Sequence, residues 1–142
     1  MVLGAGLAFV AFLGAWHLGG ILLIKKMKPQ IGNYRYFAVL FAFWGVALLH
    51  FSEIVLGSLL LYFMLELPGV GKLAEGYETA TDILYLAGMS YTTLGFSSET
   101  ADGPVRLLIM LQALGGFMLI TWSATFVYSI WNTRFIEDEE GG

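Results

Sequence analysis

Cysteine is absent from the 142 residues, so neither a disulfide nor a thiolate metal site is available, and compartment stays open on this count. Charge is scarce: 13% of residues are charged and 58% are hydrophobic, a balance that excludes an ordinary soluble domain. No basic patch with interleaved aromatics occurs, which excludes nucleic acid as a partner. No His-Glu-x-x-His spacing and no nucleophile motif occurs, so the chain is read as not an enzyme; a membrane enzyme using His17, His50 and Glu53 is the weakest of the readings. The first apolar run, Met1–Ile24, has no positive charge ahead of it, unlike a signal peptide. It has no repeated arginines either, so it is not a voltage sensor.

What is present is apolar length. The chain has room for about three spans of ~20 residues and one re-entrant segment, with no soluble domain. Met1–Ile24 reads as the first span. Gly4, Gly6, Ala8, Ala11, Gly14 and Ala15 give it a surface that another helix can approach closely. His17 lies within it, either as a packed, hydrogen-bonded histidine, the preferred reading, or as a ligand or proton relay. Lys25, Lys26, Lys28 and Arg35 mark the next stretch, Lys25–Tyr36, as a basic cytoplasmic loop containing Pro29. The N-terminus is then outside. Phe37–Leu67 is the second span. His50 and Glu53 sit near its middle, three residues apart and on one helical face. Ionisable groups at that depth are costly and face protein or water. They are either a structural pair tying this helix to the pore helix or third span, or part of an ion or proton path. The structural reading is preferred, because a loop further on already offers a path.

Pro68–Tyr77 reads as a polar outer loop. Glu66, Glu75, Glu78 and Asp82 make it acidic, and it reads both as a solvated surface and as an outer vestibule that concentrates cations. Thr79-Ala-Thr-Asp82 has the spacing of a capping box and starts a helix of about three turns, to Ser90. That helix is too short to span, so it enters and returns, with its negative dipole end toward the membrane centre. Thr92-Thr93-Leu94-Gly95-Phe96 follows. Ser97–Gly103 brings the chain back outside, Pro104 suits a first helical turn, and Val105–Thr133 is the third span. The short tail, 134–142, is acidic and cytoplasmic.

Thr93-Leu94-Gly95-Phe96-Ser97 resembles the selectivity filter of the potassium-channel family, T-V-G-Y-G. The order of span, re-entrant helix, filter-like loop and span resembles that family's pore module. Small bacterial members with three spans per subunit are the most similar. They carry a His-x-x-Glu element, matched by His50 and Glu53. They also carry an Ala-Leu-x-Gly stretch and a Trp-Ser pair, similar to Ala113-Leu114-Gly115-Gly116 and Trp122-Ser123. The resemblance implies an all-α integral membrane fold of three transmembrane helices, a pore helix and a filter loop, assembled as a homotetramer. The domains are then 1–36, first helix and basic loop; 37–133, pore module; and 134–142, tail. It implies a cation channel, with potassium or another cation held at Thr93, Leu94, Gly95 and Phe96 and no further cofactor. Its partners are itself, lipid and permeant ions, and its place is the cell membrane. Gly115 and Gly116 stand where the family has a hinge glycine; close helix packing is the other reading. The family's Gly-Asp after the aromatic residue is Ser97-Ser98 here, so the outer half of the filter is expected to differ. A weakly selective or divalent-permeable pore, or a non-conducting scaffold or sensor, are the alternative functions.

Overall fold

A computed structural model describes residues 1–27, 35–77, 79–94 and 101–135. Six elements follow in order: α1 (Val2–Met27), α2 (Arg35–Leu65), β1 (Lys72–Leu73), α3 (Ala80–Tyr91), β2 (Ala101–Asp102) and α4 (Val105–Phe135). The fold is all-α apart from the two-residue strands. α1, α2 and α4 are long and apolar enough to cross a membrane. At 1.5 Å per residue the 26-residue α1 is about 39 Å long and the 31-residue α2 and α4 about 46 Å, beyond a hydrocarbon thickness of about 30 Å. The 12 residues of α3 reach only about 18 Å.

Three clusters of buried apolar side chains lie along the bundle. Val2, Leu61, Ile83, Leu86, Val105 and Leu108 close one end. Leu13, Tyr91 and Leu119 form a middle layer. Ile24, Ala42, Val46 and Ile130 close the other end. The first end joins the start of α1, the end of α2 and the start of α4, so neighbouring spans alternate in direction. α3 contributes to the first end and the middle, and none of its residues enters the far cluster. It therefore descends half-way and stops.

The start of α3 follows from its sequence. The Thr79 hydroxyl oxygen accepts from the Asp82 amide at 3.2 Å, and the Asp82 carboxylate accepts from the Thr79 amide at 2.9 Å. Two amides left free by the helix start are thereby paired. Asp82, grouped with the vestibule acids above, serves this cap. Glu66 and Glu75 are exposed; Glu78 lies outside the described residues.

The polar loop holds a short antiparallel pair that the sequence reading did not include, with Lys72 opposite Asp102 and Leu73 opposite Ala101. The Val105 amide also donates to the Val70 carbonyl at 2.7 Å. The segments before α3 and after the loop are thus tied together at the bundle's end. Gly71 is required there: its φ is +112°, and a Cβ would strike the Asp102 carbonyl oxygen. The basic loop is shorter than the sequence suggests. Lys25 and Lys26 occupy the last turn of α1, where they complement its dipole, and Tyr36 lies in α2. Lys28 lies outside the described residues.

Candidate functional site

α3 is held by polar bonds on two sides. Ser90 Oγ donates to the Ile109 carbonyl at 3.0 Å, and Gln112 Nε2 to the Ala87 carbonyl at 3.3 Å. A Cβ at Gly57 would run into the Gln112 amide, so glycine there leaves room for this bond. Gly116 lies under the end of α3, where a Cβ would collide with the Tyr91 carbonyl oxygen and stand 2.8 Å from its Cγ. Gly115 meets only the Val10 side chain, at 3.3 Å. Both glycines are inside the unbroken α4.

The last turn of α3 closes on itself. The Thr93 amide donates to the Ser90 carbonyl at 3.0 Å and the Leu94 amide to the Met89 carbonyl at 3.2 Å. With Thr92 as C-cap, this is the Schellman pattern. It requires a left-handed residue, and Thr93 has φ +58°. A β-branched residue there is an outlier, costing roughly 1–2 kcal/mol. Thr93 is exposed, so little packing within the chain repays this. Strain of this kind gathers where function demands a residue type. Thr93→Gly is therefore expected to raise thermal stability by about 1 kcal/mol, because the backbone gain exceeds the glycine's added chain entropy. Thermal unfolding of the purified protein checks this; a lower midpoint would show that the threonine side chain holds structure. Leu94 is 79% exposed. Gly95, Phe96 and Ser97, the remaining filter-like residues, lie outside the described residues.

At the end of α3 is a buried polar cluster. Glu53 and His17 are both 0% exposed. Glu53 Oε1 accepts from His17 Nδ1 at 2.8 Å, and Oε2 from His50 Nδ1 at 2.9 Å. The Tyr91 hydroxyl donates to Glu53 Oε2 and lies 2.7 Å from His50 Nδ1. A carboxylate only accepts, so both rings hold their Nδ1 protons toward it. Ser123 Oγ is hydrogen-bonded to His17 Nε2 at 3.2 Å. Trp122 packs beside the same ring, 5.3 Å between centroids. The cluster joins α1, α2, α3 and α4 around one carboxylate, two residues before Thr93.

Of these residues, His50 and Glu53 are adjacent by helical spacing, and His17 and Ser123 arrive from other helices. Tyr91 was missed. Its signal was an aromatic hydroxyl at the end of a helix that stops inside the membrane, where a buried phenol needs a partner.

The sequence profile of a family described as "Ion channel" matches residues 49–131. A search of curated proteins and a search of solved structures each returned no match. The matched stretch runs from the second span through the re-entrant helix to the third and covers more than half of the chain. This protein belongs to the ion channel family.

Proposed function

We propose that the chain forms a homotetrameric cation channel resembling potassium channels, with four Thr93–Ser97 loops around one axis. The observation that carries this is the half-length helix α3, which stops at the middle layer and ends in an exposed Thr93 and Leu94. Backbone at that depth must be covered by protein or line a watery path. One loop cannot enclose an axis, so cyclic copies supply the rest. The carbonyls of Thr93, Leu94, Gly95 and Phe96 replace an ion's hydration shell, and the Thr93 hydroxyl adds the innermost ligand. The negative end of the α3 dipole faces the same place and favours a cation. Lys25 and Lys26 put the α1–α2 connection in the cytoplasm, with the N-terminus and the β1–β2 pair outside.

Ser97-Ser98 favours one second reading, a weakly selective pore. Without the glycine and the acid of the related filters, the outer ion sites are altered, and discrimination depends on the number and field strength of coordinating oxygens. Bi-ionic reversal potentials in a reconstituted bilayer decide between the two. The expected result is modest potassium preference in the native chain and a strong one in Ser97→Gly/Ser98→Asp. Equal, strong selectivity in both would mean that the serines are tolerated. Absence of current in either, or a stable monomer as the sole species by mass in nanodiscs, would leave a scaffold or sensor subunit as the function.

A further inference from the structure

The cluster around Glu53 has the donors of a metal site. Among the described residues, one ligand atom each from His17, His50 and Glu53 lies within 4.8 Å of the others. The Tyr91 hydroxyl stands 2.7 Å from His50 Nδ1 and is bonded to Glu53, so it adds a fourth donor. Three helices contribute these atoms; His17, Glu53 and Tyr91 are each 0% exposed and His50 is partly buried. Two imidazole nitrogens, a carboxylate and a phenol oxygen form a set suited to zinc and its first-row neighbours, and unsuited to magnesium or calcium, which take oxygen.

Charge gives the second reason. Glu53 is the one acid in the three candidate spans, and its ion-pair contacts are both to histidines. A carboxylate buried in apolar surroundings is costly, and a cation seated beside it offsets that cost. A divalent ion balanced by the Glu53 carboxylate and a Tyr91 phenolate brings the sum to zero. We propose that His17, His50, Glu53 and Tyr91 bind one divalent transition-metal ion, with zinc as the type case, inside the helix bundle.

Binding follows ordinary ligand chemistry. The ion takes Nδ1 of both rings, which are left neutral with their N–H at Nε2; the displaced Nδ1 protons not held there, and the Tyr91 O–H proton, go to solvent. His17 Nε2–H then donates to Ser123 Oγ along the existing 3.2 Å contact, the hydroxyl oxygen accepting. An outer partner on the second ring nitrogen is what metal-ligating histidines usually have. Tetrahedral donors stand roughly 3.3 Å apart around zinc; here the hydrogen-bonded pairs are 2.7–2.9 Å apart and the ligand atoms of His17, His50 and Glu53 all lie within 4.8 Å of one another. Seating the ion parts the hydrogen-bonded pairs and draws the wider-spaced donors together. The ion thus ties α1 and α2 to the end of α3.

The test reads metal, not current, and so stands apart from the proposed conduction. The full chain is purified in detergent, loaded with zinc, dialysed and assayed for zinc per chain; a cobalt-loaded sample gives the visible spectrum. One zinc per chain and a tetrahedral cobalt spectrum are expected. His50→Gln/Glu53→Gln should retain no zinc, and Ser123→Ala should bind it roughly 10- to 100-fold more weakly. If the double variant does not fold, Tyr91→Phe, which removes a single oxygen, must weaken zinc retention and change the cobalt spectrum. No zinc retained by the native chain, equal retention by folded ligand variants, or a cobalt spectrum like that of the aqueous ion would overturn the site.

Discussion

Glu53→Ala is expected to cost about 3–5 kcal/mol of stability, the usual range for breaking a buried charged pair from one side. The carboxylate accepts from His17, His50 and Tyr91 at once. Without it, two ring N–H groups and a hydroxyl face each other in an apolar interior, and each unpaired group costs about 1–3 kcal/mol. Water cannot easily compensate, because the carboxylate's surroundings are closed. Glu53→Gln keeps the shape and one acceptor oxygen but turns an NH2 toward donors, so an intermediate loss is expected. Thermal unfolding in detergent, followed by tryptophan fluorescence, ranks native, Gln and Ala. If Ala unfolds with the native midpoint, the cluster does not hold the bundle together.

The neighbouring glycines of α4 give the second large effect, and the contrast is the point. Gly116→Ala places a Cβ on the Tyr91 carbonyl oxygen and near its ring. Backbone cannot rotate away, so the helices must part, at about 1–3 kcal/mol. Ala gains about 0.8–1 kcal/mol over Gly in helix propensity, which does not offset the larger part of that range. The displaced residue is Tyr91, so the loop at Thr93 shifts too, and ion flux from liposomes is expected to fall along with stability. Gly115→Ala meets only a Val10 methyl at 3.3 Å, which a small side-chain adjustment relieves. Helix propensity then dominates, and a neutral or slightly stabilised protein is expected. A silent Gly116→Ala beside a disabled Gly115→Ala would reverse the packing account and favour a hinge at Gly115.

Several elements were legible because they depend on near neighbours or on bulk composition. The three spans follow from uninterrupted apolar runs, since a bilayer needs about 20 such residues in a row. The start of α3 is local, two side chains three residues apart, and Thr79 and Asp82 pair as their spacing implies. His50 and Glu53 share a face because 3.6 residues make a turn. The termini of helices were off by one to three residues: α1 runs to Met27, not Ile24, and α3 ends at Tyr91, not Ser90.

The β1–β2 pair was not legible. Two-residue strands carry no periodic pattern, and their partners lie about thirty positions apart. Nor does the sequence separate Gly115 from Gly116. They are the same residue side by side, and only the 100° step around the helix aims one at a movable valine and the other at the backbone of Tyr91. The sequence alone determined that this is an apolar chain of three spans with a half-length helix between the last two. It also placed an ionisable pair at mid-depth. Which partners that pair would find was decided by the tertiary structure. His17, Tyr91 and Ser123 are 36, 38 and 106 residues from their partners in the cluster. Only the packing of four helices brings their atoms within hydrogen-bond reach, where a buried carboxylate must be satisfied.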